Sequence, residues 1–356
     1  MRYSGFSLCN GADGYTHIET LSHLLHQVEI ADQAGMDGWF FAEHHDNAVY
    51  SLTPSPNLLV AATASRTEQI RLGTMVTVLP YHHPLRAAEE IRLLDALTGG
   101  RLEVGVARGG IPHEQAAFGM EHADNESMLE AGIGILLRLL TEENVDFDTP
   151  YWHGKAATAV PEPTQRPYPQ MWMAAVSDHS IEMAARFGMG CETGMAYPEL
   201  LRLQRDIYAE AWAKHHGATA TGPFGQLIFT VVAETERDAT RHGKEPMQKK
   251  IDAFLNSFGN PRPGTEHLPA AKSRRRLYDH ISKLSFNQMM DEGLVVFGSV
   301  DQCIEQVARL RATGIDLLTH WLQFTDLDFA VGDRSLHLLC EEVIPAVEGA
   351  ARRSAS

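Results

Sequence analysis

The chain has 356 residues, 44% of them hydrophobic and 21% charged, with 29 Gly and 17 Pro; this is ordinary globular composition and excludes a disordered, collagen-like or disulfide-stapled protein. At roughly 150 residues per domain that length admits two domains, but an α/β barrel also reaches it as one. Lys and Arg total 30 against 46 Asp and Glu, a formal charge of −16, so nucleic acid and anionic membrane surfaces are poor partners and a small molecule is the expected one.

The four cysteines, Cys9, Cys191, Cys303 and Cys340, stand far apart with no C-x-x-C pair, as expected of reduced thiols in a cytosolic protein. Met1 to Thr16 lacks the apolar stretch of a signal peptide. No run of about 18 apolar residues occurs, so a spanning helix is not expected and the predicted location is cytoplasmic.

In chain order, Arg2–Leu8 reads as a strand and Thr16–Ala34 as a helix closed by Gly35. Trp39–Ala42 is a continuous apolar run, as in a strand buried on both faces. Ser55–Ser65 is helical, Ile70–Leu79 a strand, Pro84–Leu97 a helix opened by proline, and Leu102–Ala107 the next strand. Asp124–Leu140 is helical, Met171–Val176 a strand, Ser180–Phe187 a helix, and Gly190–Thr193 a brief strand. The alternation continues through Leu200–Lys214, Leu227–Ala233, Glu236–Phe258, Leu294–Phe297, Val300–Thr313 and Asp316–Leu322, then a last helix from Ser335 to Gly349.

Repeated strand–helix units imply a parallel sheet, and about eight strands with no break in composition favour a closed (β/α)₈ barrel over a doubly wound sheet. Two stretches depart from the repeat. Asn144–Gln170 holds five prolines and reads as a small excursion. Gly259–Met290 is a longer insertion carrying Lys272, Arg274, Arg275 and Arg276. A segment of that length is expected to be a mobile lid, and its basic cluster reads as a solvated face.

His44-His45 directly follow a buried strand, at the end where a barrel places its chemistry. They are either polar loop residues or part of a site, and neighbours in extended chain point to opposite faces. The 18 histidines include no H-x-H pair, and His113-Glu114 lacks the second His of H-E-x-x-H. A metal site is not expected. No G-x-G-x-x-G follows the first strand and no P-loop occurs, which disfavours a doubly wound nicotinamide enzyme. Arg108-Gly109-Gly110, just past a strand, lets backbone approach a ligand and offers a guanidinium to a phosphate. Ser177-Asp178-His179-Ser180 lies between strand and helix, suited either to an anion or to simple N-capping.

Trp39–His45 (WFFAEHH) and Arg71–Gly109 (RLGTMVTVLPYHHPLRAAEEIRLLDALTGGRLEVGVARG) closely resemble the bacterial luciferase-like flavin-dependent monooxygenases. The resemblance continues through Ser177–Gly188 and Phe297–Leu318 and spans nearly the whole chain. It implies a (β/α)₈ barrel binding reduced FMN at its C-terminal mouth, with the flavin supplied by a separate reductase. It also implies reaction with O2 through a peroxyflavin that oxygenates a small organic substrate, and a homodimer or heterodimer. By the same resemblance Arg108, Ser177 and Ser180 hold the phosphate. Met75-Val76 match the pair that packs under the flavin ring, joined in the family by a non-proline cis peptide. Val176 stands where luciferase has a glutamate near the flavin. His44 matches the catalytic histidine, and His45, His113 and Glu114 are expected to border the substrate pocket. Asp46 replaces an aromatic after the double histidine, a departure that makes a long aliphatic aldehyde a less expected substrate. The alternatives are a deazaflavin-dependent reductase or dehydrogenase of the same family, and a non-catalytic flavin-binding subunit.

Overall fold

The computed structural model describes residues 1–10, 14–120, 124–218, 220–258, 277–324 and 326–355. In chain order the strands are β1 (Arg2–Ser7), β2 (Gly38–Phe41), β3 (Arg71–Val78), β4 (Leu102–Ala107), β5 (Val145–Asp148), β6 (His153–Ala157), β7 (Gln170–Ala174), β8 (Gly190–Gly194), β9 (Phe224–Ala233), β10 (Val295–Ser299) and β11 (Leu317–Trp321). The helices are α1 (His17–Gln33), α2 (Pro56–Ala64), α3 (Pro84–Leu97), α4 (Pro112–Ala117), α5 (Asn125–Thr141), α6 (Asp178–Arg186), α7 (Pro198–His216), α8 (Glu236–Phe258), α9 (277–281), α10 (Phe286–Asp291), α11 (Val300–Arg311), α12 (Phe329–Leu338) and α13 (Ile344–Ala355).

Parallel pairing runs β11-β1-β2-β3-β4-β7-β8 and returns through β9 to β11, so eight strands close the expected barrel. β10 pairs along the far half of β9, Val295 with Phe229 through Ser299 with Ala233. The continuous apolar runs are explained by this closure, because β2 and β11 are buried along their whole length between barrel interior and helices. Local signals set the helix ends. Thr16 and Glu19 form a capping box at the start of α1, and Pro84 opens α3.

The lower, N-terminal end of the barrel is sealed by polar groups. Glu103, 1% exposed, takes Arg2 and Arg71 and accepts a 2.7 Å hydrogen bond from the Trp172 indole. A buried carboxylate survives there only because its oxygens are paired. The upper end is apolar and aromatic: Phe6, Phe40, Tyr50, Met75, Phe229 and Trp321 belong to one buried cluster there.

Several elements differ from the expectation. The proline-rich excursion contains an antiparallel hairpin, β5 with β6. The last helix begins at Phe329 because the Asp328 side chain caps it, and a π-helical turn, Leu339–Val343, joins α12 to α13. The short helix α4 was not expected. Of the predicted lid, residues 259–276, with Lys272, Arg274, Arg275 and Arg276, lie outside the described residues. From 277 onward it forms α9 and, after a turn, α10, and Leu277, Tyr278 and Ile281 are buried against the barrel. All four cysteines are free and buried. Among the described residues no helix is long and apolar enough to cross a membrane.

Candidate active site

β2 ends at Phe41, and the chain runs on through Ala42 to deliver Glu43, His44 and His45 to the upper rim. The two histidines divide between two buried carboxylates. His44 Nδ1 lies 3.0 Å from Glu114 Oε1, and the same oxygen accepts the His45 backbone N–H at 2.9 Å. His45 Nε2 turns instead to Glu43, 3.0 Å from Oε1. Glu43 also takes His82 Nε2 at 2.9 Å and the Val78 N–H at 2.8 Å. Neighbouring side chains thus point apart, as extended backbone requires.

Burial works against the Glu43 carboxylate, but hydrogen bonds from His45, His82 and the Val78 N–H outweigh it and hold Glu43 below the usual carboxylate range. Burial likewise disfavours charge on His82, and Glu43 overrides it, raising His82 above the ordinary imidazole value. Aromatic rings frame both histidines. The His44 ring meets Tyr50 edge-on at 4.9 Å between centroids. The His45 ring stands 4.7 Å from Phe118, itself stacked at 4.4 Å on Tyr81.

The peptide between Met75 and Val76 is cis, and the β3–β4 register slips between Thr74 and Thr77. Gly105 across the ladder makes room: a Cβ there would sit 2.9 Å from the Met75 sulfur and 2.5 Å from the Thr74 carbonyl oxygen. Met75, Val76 and Val176 belong to the same upper apolar cluster.

Arg108 and Ser177 follow β4 and β7, adjacent strands that end on the same rim. Ser177 caps α6, and its hydroxyl lies 2.9 Å from that of Ser180, whose N–H donates back to it. The capping expected as one reading of these serines is therefore present, at a helix start whose N–H groups also suit an anion. Gly109 has φ +71°, and a Cβ there would meet Val78 and the Tyr81 hydroxyl. That hydroxyl is buried with no hydrogen-bond partner among the described residues. An unpaired buried O–H is costly, so a donor left waiting beside Arg108-Gly109 fits a bound anion. The residues present suit a flavin phosphate.

Of the residues expected at the site, the fold gathers His44, His45 and Glu114 into one cluster. His113 is exposed on α4 and takes no part in it. Successive helical residues point roughly 100° apart, so α4 buries Glu114 and turns His113 outward. Sequence reasoning overlooked Glu43, His82 and Tyr81. A charged residue wedged between a buried strand and two histidines, EHH, and the aromatic–histidine run YHH were the available signals. Among the described residues no group of three His, Cys, Asp or Glu side chains is placed to hold a metal.

Residues 1–317 match the family described as luciferase-like monooxygenase. The chain belongs to the luciferase-like monooxygenase family. It is an enzyme, an oxidoreductase of the luciferase-like monooxygenase kind expected from its sequence. A relative from Acinetobacter baylyi, the oxygenase component of a flavin-dependent trigonelline monooxygenase, is 27% identical over 97% of this chain and 95% of its own length. Two solved structures share the barrel. The oxygenating constituent of 3,6-diketocamphane monooxygenase from Pseudomonas putida, in complex with FMN, has a TM-score of 0.79 at 21% identity, covering 97% of this chain and 98% of its own. An F420-dependent secondary alcohol dehydrogenase has 0.75 at 17%, with 97% and 98% covered.

Proposed function

We infer that this family member uses reduced FMN and O2 to oxygenate a small organic substrate at the upper rim of the barrel. The observation that carries the reading is a shared end. The His44–Glu114 pair and the Arg108, Ser177 and Tyr81 cradle leave strands β2, β4 and β7 and the β3–α3 connection at one rim. Bound reduced flavin supplies the two electrons that activate O2 for transfer of one oxygen atom. The chain supplies everything else. Arg108 neutralises the phosphate, Ser177, Ser180 and Tyr81 offer it hydroxyls, and Met75, Val76 and Val176 give the ring an apolar bed. His44, held by Glu114 through Nδ1, moves a proton at Nε2. The aromatic cluster keeps water from the reacting centre.

The oxygenase-component description of the Acinetobacter relative supports a separate reductase as the source of reduced flavin. The second reading, a deazaflavin-dependent dehydrogenase, is kept by the shared barrel of the F420 enzyme. Titration of the purified protein with FMN, reduced FMN and a deazaflavin separates the two. Tight binding of reduced FMN, followed by substrate-dependent O2 consumption, supports oxygenation. Tight deazaflavin binding with no response to reduced FMN overturns it.

A further inference from the structure

α8 packs across the upper end of the barrel, where Phe254 meets Phe229 and Met247 and Ile251 join the aromatic cluster. From this helix Lys250 reaches inward and is only 3% exposed. Its ammonium lies 4.3 Å from the centroid of the Tyr50 ring and 4.9 Å from that of Trp321. No carboxylate among the described residues pairs with it, whereas the adjacent Lys249 is exposed and takes both Glu245 and Asp326.

Two ring faces stabilise a cation by roughly 1–2 kcal/mol each at best, well short of what full withdrawal from water costs an ammonium. Consistent with that deficit, burial pulls the amine down to about 7. The position is informative. Tyr50, under the ammonium, also meets the His44 ring, so Lys250 stands one ring away from the proton-moving histidine. Trp321 ends β11, which lies across the barrel from β4, the strand that Arg108 follows. The lysine is therefore remote from the phosphate cradle and close to the reacting end.

We propose that Lys250 is the anchor for a carboxylate on the organic substrate, with Tyr50 and Trp321 flanking the apolar body attached to it. The proposal rests on the functional reading above and narrows its substrate class. One ammonium among aromatic walls matches a single negative charge on an apolar frame; a phosphate dianion would require further donors. The anion completes a charge pair that the protein leaves open, and brings the adjoining carbon toward His44.

Calorimetric titration of the whole protein with benzoate and phenylacetate, and with benzamide as a neutral isostere of benzoate, tests this without turnover. The wild type is expected to bind at least one carboxylate about tenfold more tightly than benzamide, the scale of one charge-assisted hydrogen bond. Lys250→Met should erase that preference and Lys250→Arg should keep most of it. Should Lys250→Met not fold, Lys250→Gln serves the same comparison. Equal affinity for the acids and the amide in the wild type, failure of both carboxylates to bind it, or a preference that persists in Lys250→Met overturns the assignment. Loss of FMN binding with the carboxylate preference intact would instead count against the flavin reading alone.

Discussion

His44 Nδ1 and Glu114 Oε1 stand 3.0 Å apart although the residues are 70 positions apart in the chain. Glu114 is 1% exposed, and the His45 N–H, bonded to the same Oε1, helps fix the carboxylate in place. A carboxylate at Nδ1 selects the tautomer that carries its proton there, which makes Nε2 the basic nitrogen. This is the logic by which a buried acid orients a catalytic imidazole on unrelated folds.

Glu114→Gln keeps an oxygen for the His45 N–H but no longer enforces that tautomer. Turnover should fall by about 10²–10⁴-fold, and His44→Ala by at least about 10²-fold. Reduced-FMN affinity should stay within about twofold in both, since neither residue touches the proposed phosphate cradle. Flavin titration beside saturated turnover checks this. Intact turnover in Glu114→Gln would reduce the pair to a structural contact.

Arg108→Ala should weaken reduced-FMN binding by about 1.5–3 kcal/mol, the scale of a charge-assisted hydrogen bond. Riboflavin, which lacks the phosphate, should bind the variant and the wild type alike. An equal loss for both flavins would place Arg108 elsewhere than at the phosphate.

The Tyr81 hydroxyl is buried without a partner among the described residues. Tyr81→Phe should leave the melting temperature of the flavin-free protein unchanged or raise it slightly, because it removes an unsatisfied polar group. FMN affinity should drop by about 1 kcal/mol, roughly fivefold. A clear fall in flavin-free stability would show that the hydroxyl already has a partner.

The Glu43 cluster predicts a pH window. Glu43 has a lowered value, so its contribution is complete above the ordinary carboxylate value of about 4.3 and is lost as pH falls through the lowered one. His82 has a raised value, so its contribution is complete below about 6.5 and is lost as pH rises through the raised one. Chemical denaturation of the wild type and His82→Gln should show a stability gap of about 1 kcal/mol at pH 6 that closes on the alkaline side. A gap flat from about pH 5.5 to 9 would deny His82 a titrating role in stability.

Much of the barrel was legible because its signals are local. Strand β2 shows as four consecutive apolar or small residues, GWFF, and α3 as a proline-opened apolar period, since burial on both faces or on one face dictates those patterns within a dozen residues. The C-terminal helices were less so: Asp328 caps α12 by accepting the Ala330 N–H, and the π turn after Leu338 leaves no mark on hydrophobic spacing. Helix α4 is short enough that its periodicity carries almost no information.

By itself the sequence determined the parallel α/β class, the family, and the rim on which His44, Arg108 and Ser177 emerge, because strand direction and loop position follow from chain order. Tertiary structure alone decided which partners those residues meet. It gave Glu114 to His44 and Glu43 to both His45 and His82, turned His113 outward, and set Lys250 over Tyr50 and Trp321. Apart from Glu43–His45, which share one loop, those pairings join residues from separate strands, loops and helices, where closure of the barrel brings together what no local period records, and where burial settles each carboxylate on whichever donors it can reach.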